Sequence, residues 1–183
     1  MRYPSFMLHS QHHPSAILLM VQLLGMVLYP FIEHTQAGPV FFNAFGIAVL
    51  GITTYMVRRT PGYMWISASL AVPIIILLLL QIALPLPQLL PWSSALEAVF
   101  YFYAAFSLVA YVMEDRIVTT DELFAAGATF TLLAWAFTHL FILVQTVAPG
   151  TYASAVNAAA PRSWTELNYL SFALLSSTGI GDV

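Results

Sequence analysis

The chain has 183 residues, of which 60% are apolar and only 7% are charged, whereas soluble domains carry roughly a quarter charged residues. Its five basic residues are all arginines, too few to bind nucleic-acid phosphates, so a nucleic-acid partner is excluded. The absence of cysteine excludes disulfides, thiolate metal sites and a cysteine nucleophile. This composition predicts an all-α protein that folds in a lipid bilayer.

The first two thirds of the sequence predict a polar N-terminal segment over residues 1–15 and a bundle of four membrane helices over residues 16–116. Prolines between Pro85 and Pro91 predict a break before the fourth helix, because proline cannot continue a helix. Each apolar run is close to the length of about 20 residues that a bilayer requires. The predicted spans are 16–32, 40–57, 63–84 and 95–113.

Residues 117–183 predict a different arrangement. Thr119 and Glu122 have the spacing of a capping box, in which each side chain satisfies a free amide at the start of a helix. A fifth span is predicted to follow over residues 123–147. Residues 164–176 are mostly apolar but too few to cross a bilayer, so they are predicted to enter the membrane and return.

The arginines predict the orientation, because positive charges are retained on the cytoplasmic side of short loops. The connections at residues 33–39 and 85–93 contain no basic residue, and Arg162 is the one exception to the pattern. The chain is therefore predicted to be a multi-pass protein of the cell's inner (plasma) membrane, with a cytoplasmic N-terminus. The arginines predicted to be cytoplasmic are Arg2, Arg58, Arg59 and Arg116.

The last residues combine hydroxyl side chains with two glycines that flank a single residue. Residues 176–182 read Ser-Ser-Thr-Gly-Ile-Gly-Asp. Glycines at alternate positions let the backbone adopt conformations closed to other residues, so that successive carbonyls can point the same way into a pore. Four such segments would form stacked rings of oxygens that replace the hydration shell of a potassium ion.

Residues 167–182 resemble the pore loop of tetrameric potassium channels, in which two threonines and an aliphatic residue precede glycine, an aromatic residue, glycine and aspartate. Ser177 takes the place of the second threonine, and Ile180 that of the aromatic residue. The resemblance implies a homotetramer in the lipid bilayer, with potassium as the permeant ion and no cofactor. It also implies an outer pore helix, a re-entrant pore helix and a filter over residues 117–183. The implied filter residues are Ser177, Thr178, Gly179, Ile180 and Gly181, with Asp182 at the outer mouth.

A pore of this kind continues into an inner helix, which is absent from the chain as given, since the sequence ends at Val183. An alternative therefore stays open: a non-conducting accessory or structural subunit that packs against other membrane proteins. The glycines would then form a turn after an interfacial helix. Voltage gating is not expected, because the fourth span contains no arginine.

Other ionisable residues give weaker signals. His139 in the fifth span is expected to hydrogen-bond a neighbouring helix, and Glu97 is expected to stay hydrated near the membrane surface. The N-terminal histidines are better explained by a segment on the membrane surface than by a metal site. No metal is expected beyond a permeant monovalent cation. The sequence has no metalloprotease, nucleophile-elbow or phosphate-loop motif, so no enzymatic activity and no catalytic residue are predicted. The N-terminal histidines are His9, His12 and His13.

Overall fold

The computed structural model describes residues 14–33, 35, 37–58, 64–84, 86–114, 119–152 and 160–179. Every regular element within these ranges is helical. Five of the helices are long and apolar enough to cross a bilayer, so the described chain has the fold of a multi-pass membrane protein, as predicted. The helices are α1 (Pro14–Ile32), α2 (Gly38–Val57), α3 (Met64–Ala83), α4 (Leu90–Val112), α5 (Thr120–Val147) and the short α6 (Trp164–Leu175).

The predicted boundaries agree with the structure except at the start of α4. A 3-10 turn, Pro87–Leu89, leads directly into α4, and Pro91 lies in the first turn of that helix. The prediction that the proline-rich segment would delay the helix to residue 95 was therefore wrong. Proline is tolerated in the first turn because the amide it lacks would have no partner there.

The predicted capping box at the start of α5 is confirmed. The Thr119 hydroxyl accepts a hydrogen bond from the Glu122 amide at 3.3 Å, and the Glu122 carboxylate accepts one from the Thr119 amide at 2.9 Å. Two otherwise free donors are thus satisfied at one helix end. The start of α5 is fixed by its own sequence.

The five long helices pack as a closed ring, in which each contacts the next along the chain and α5 returns to α1. The α4–α5 contact is the most extensive, and α2 also contacts α4 across the ring. Small side chains are buried on both α4 and α5, which lets the two backbones approach closely. They include Ala104, Ala105, Ala125 and Ala128. The division into a bundle over residues 16–116 and a pore region over residues 117–183 stays a prediction.

The outer surface of the ring carries large apolar side chains. Met20 and Val27 on α1 are 70% and 61% exposed, and Phe106 on α4 is 69% exposed. Such a surface is unfavourable in water but matches the hydrocarbon region of a bilayer. We therefore assign these side chains to the lipid-facing side.

The short helix α6 packs against α5 and runs antiparallel to it. Its contacts begin near the C-terminal end of α5 and end near the middle of that helix. At a rise of 1.5 Å per residue, the two extreme contacts on α5 are separated by about 22 Å along the axis. In order along the chain, the contacts are Arg162–Gln145, Asn168–Thr138, Ser171–Thr138 and Phe172–Phe130.

Candidate functional site

The first turn of α6 is fixed by a second capping box. The Ser163 hydroxyl accepts a hydrogen bond from the Glu166 amide at 3.2 Å, and the Glu166 carboxylate accepts one from the Ser163 amide at 2.8 Å. The serine and the glutamate have the same spacing as the pair that starts α5. The sequence analysis missed this signal, although the spacing alone was enough to find it.

Two other helices also hold the start of α6. The Gln145 side chain at the end of α5 accepts a hydrogen bond from the Arg162 amide at 2.7 Å and donates one to the Arg162 carbonyl at 3.0 Å. The Thr165 hydroxyl donates to the Glu33 carboxylate, beyond the end of α1, at 2.6 Å. Carboxylates near a helix N-terminus also interact favourably with the helix dipole. The N-terminal end of α6 is therefore tied to α1 and α5.

A buried polar cluster joins the middle of α6 to α5. The Thr138 hydroxyl lies 3.1 Å from both the Asn168 side-chain oxygen and the Ser171 hydroxyl, and all three residues are buried. Side-chain hydrogen bonds of this kind link helices within membranes. They fix the register of α6 along α5.

The C-terminal end of α6 has the hydrogen bonds of a Schellman motif. The Ser177 amide donates to the Leu174 carbonyl at 3.1 Å, and the Thr178 amide donates to the Ala173 carbonyl at 3.0 Å. Ser177 adopts the left-handed conformation that this motif requires, with φ at 56°. Glycine is the usual residue at that position, because a side chain is strained there.

The structure describes three of the predicted filter residues, and all three are exposed. They are Ser177, Thr178 and Gly179. Gly179 has φ at 68°, so positive φ recurs at alternate positions, residues 177 and 179. The positive φ at Gly179 agrees with the prediction, which relied on backbone conformations that are open to glycine and closed to other residues. The positive φ at Ser177 was not predicted, because serine is not normally associated with that conformation. Ile180, Gly181 and Asp182 lie outside the described residues. The assignment of all six residues to a filter and its mouth stays a prediction.

A second group of polar residues lies at the end of the bundle where α6 starts. Glu97 on α4 is only 4% exposed, so the side chain is more buried than the expected place near the membrane surface implies. Helix α4 starts at Leu90, so Glu97 lies about two turns inside it, where the packing of neighbouring helices buries the side chain. Its carboxylate lies 3.3 Å from Nδ1 of His139 on α5, but this contact lacks hydrogen-bond geometry. Among the described residues, this nitrogen has no hydrogen-bond partner, so the hydrogen bond expected for His139 is not found at Nδ1.

Metal-ligating side chains do not cluster in the described part of the chain. No group of three or more histidine, cysteine, aspartate or glutamate residues there is placed to hold a metal ion. The N-terminal histidines lie outside the described residues.

Compared with known proteins, the chain matches no protein-family model, no curated protein and no solved structure. The class that the fold defines is a multi-pass helical membrane protein. Function is inferred from this chain's own residues and their geometry.

Proposed function

We propose that this protein is a subunit of a potassium-type cation channel that assembles as a homotetramer. The observation that carries the proposal is the placement of α6. This short helix starts at the C-terminal end of α5, runs back to the middle of α5 and ends in exposed, non-helical backbone. We assign α6 as a re-entrant pore helix. The backbone carbonyls of residues 178–181 and the Ser177 hydroxyl then form the filter, with Asp182 at its outer mouth.

In the proposed re-entrant arrangement, the exposed non-helical backbone after α6 lies within the membrane, and this favours an assembled pore. Backbone polar groups without partners cost several kcal/mol each in hydrocarbon, so irregular segments occur there only where protein or a water-filled cavity covers them. Ser177, Thr178 and Gly179 are exposed in the single chain. Four copies around one axis would remove these groups from lipid and direct their oxygens toward a shared ion pathway.

The electrostatics of α6 also suit a cation at its C-terminal end. A helix C-terminus carries about half a negative elementary charge, and four converging helices would contribute about two. No basic residue lies in the last turn of α6 to offset that charge, and the acidic residue of its first turn lies at the opposite end. A site built from partial charges and no ionised side chain suits a dehydrated monovalent cation.

The proposed channel is not voltage-gated and lies in the cell's inner (plasma) membrane, with a cytoplasmic N-terminus. A voltage sensor needs several charges on one moving helix, each worth about 2.3 kcal/mol per 100 mV. Helix α4, Leu90–Val112, contains no arginine and a single glutamate, Glu97. The distribution of arginines between the connections supports the orientation.

A second candidate function follows from the Schellman motif. This motif is a common helix end, and it accounts for the left-handed Ser177 without a filter. The second candidate is a non-conducting accessory subunit, in which α6 lies against α5 in a larger membrane complex. A single copy per assembly would favour this candidate, whereas fourfold symmetry would favour the channel.

Two glycines provide a matched test of the channel. Gly179 and Gly150 both have positive φ, 68° and 86°, and a Cβ atom on either would meet nothing within 4 Å. Alanine therefore introduces similar backbone strain at both, of about 1–2 kcal/mol. We expect Gly179→Ala to reduce potassium flux to that of protein-free liposomes, while Gly150→Ala retains the wild-type flux.

The measurement is potassium flux into liposomes that contain the full-length polypeptide encoded by the gene. Equal flux through the two alanine variants would contradict the filter assignment. Absence of flux through the wild-type polypeptide would reject the channel itself and favour the accessory subunit.

A further inference from the structure

A cavity of about 570 Å³ opens at the end of the bundle where α6 begins. Its volume falls within the range of about 300–1,000 Å³ that is typical of small-molecule sites. Glu97 and His139 both line it and are buried, at 4% and 3% exposed. Exposed residues at its rim include Pro87, Leu90 and Pro161. We call this space the Glu97 cavity.

The carboxylate in this cavity lacks a strong partner. Among the described residues that line the cavity, Glu97 is the one acidic residue, and its polar contact is the 3.3 Å approach to His139. The His139 ring stacks on those of Phe42 and Tyr101, with centroid distances of 6.5 and 5.5 Å and interplanar angles of 28° and 30°. A buried carboxylate is costly unless a cation or hydrogen-bond donors accompany it. The cavity therefore has an acidic site whose partner can come from outside the chain.

One part of the cavity wall is aromatic. The Tyr29, Phe42 and Trp164 rings form a cluster with centroids 4.8–5.3 Å apart. Aromatic faces attract cations and also pack against apolar bodies. The one basic side chain in the lining, Arg162, donates to the Ala160 carbonyl at 2.6 Å and lies 3.5 Å from the Glu166 carboxylate. Its charge is thus already engaged by groups of its own segment.

We infer that the Glu97 cavity binds a small amphipathic organic cation, with an ammonium group beside Glu97 and an apolar body against Phe42 and Trp164. Trp164 is the first residue of α6, so the occupant contacts the helix that the proposed channel uses to form its filter. The inference goes beyond that function and does not depend on it, because binding is measured without ion flux.

The probe is 2-phenylethylamine, compared with the uncharged 2-phenylethanol, which has the same ring and a similar length. The full chain is reconstituted in nanodiscs, and binding is followed by tryptophan fluorescence and by the shift in the thermal unfolding midpoint. Signals from protein-free nanodiscs are subtracted. We expect the amine to bind at least tenfold more tightly than the alcohol. Glu97→Gln should abolish that preference, while Glu114→Gln, on an exposed residue beyond α4, should leave it unchanged.

A second variant tests the same inference if Glu97→Gln fails to fold. Ile142→Trp enlarges a side chain of the cavity wall and leaves the carboxylate in place, and we expect it to weaken amine binding at least tenfold. Equal affinity for amine and alcohol in the wild-type protein would overturn the inference. Unchanged amine binding in folded Glu97→Gln protein, or in Ile142→Trp protein, would also overturn it.

Discussion

The two ends of α6 differ in how the chain supports them. The N-terminal end is held by its own capping box and by Gln145 and Glu33 of two other helical segments. The C-terminal end uses only its own carbonyls as partners for the amides of Ser177 and Thr178, and its hydroxyls are exposed. The N-terminal end of the helix is therefore positioned by the fold, whereas the hydroxyls at the C-terminal end are left available to contact an ion or another protein.

This difference matches what a pore helix requires. A filter must be placed accurately by rigid supporting elements, while its own polar groups must remain free to contact an ion. In the accessory-subunit alternative, the same exposed end would contact another protein. Variants at the two ends should therefore differ in their effects on stability and on flux.

The largest effect on stability is expected for Gln145→Leu. This variant removes both hydrogen bonds to the backbone of Arg162, and we expect it to lower the free energy of unfolding by about 2–3 kcal/mol. Chemical unfolding in detergent micelles measures the change. Gln145→Glu keeps the acceptor for the Arg162 amide but places a second oxygen against the Arg162 carbonyl, so it should also lower the free energy of unfolding. If Gln145→Leu were as stable as the wild-type protein, the hydrogen bonds between Gln145 and Arg162 would not be important for stability.

A pair of serine variants compares the two ends directly. Ser163→Ala removes the cap of α6 and should lower the free energy of unfolding by about 1 kcal/mol. Ser176→Ala removes a hydroxyl that donates to the Phe172 carbonyl, 2.7 Å away and within the same helix, and should cost less than about 0.5 kcal/mol. Equal losses in the same unfolding assay would contradict the asymmetry.

Ser177→Gly should act in opposite directions on stability and on function. Glycine relieves the left-handed strain at φ 56° but increases the freedom of the unfolded chain, so the expected net stabilisation is about 0.5–1 kcal/mol. The same variant removes a hydroxyl assigned to the filter, and potassium flux should fall. Unfolding and flux assays on one preparation measure both effects. Destabilisation, or unchanged flux, would count against the role assigned to Ser177.

The sequence was sufficient to predict the five spans, because a bilayer imposes the length and apolar character of every crossing helix. The capping box at Thr119 was also predictable, since its partners lie three residues apart. By contrast, the early start of α4 depended on whether Pro91 would lie in the first turn of a helix or before it. Both positions are compatible with proline, so Pro91 alone did not determine where α4 begins.

The candidate site was predictable only where its signals are local. The pattern of glycines and hydroxyl residues lies within residues 176–182, so the sequence alone was enough to predict a site there. The support for α6 from Glu33 could not be predicted in this way, because the two partners are 132 residues apart. Burial of Glu97 likewise depends on the packing of other helices around α4. Ser177 gave no signal for its left-handed backbone, because glycine is the residue normally associated with it.

Distances between copies of the chain test the channel account most directly. Leu174, in the last turn of α6, is 57% exposed, and the 183 residues include no cysteine, so Leu174→Cys takes a single spin label close to the filter. Pulsed electron paramagnetic resonance of the full-length polypeptide in lipid measures the distances between labels. Fourfold symmetry predicts two distances in a ratio of about 1.4, as for the side and diagonal of a square. A single distance, or no distance between copies, would contradict a tetrameric pore.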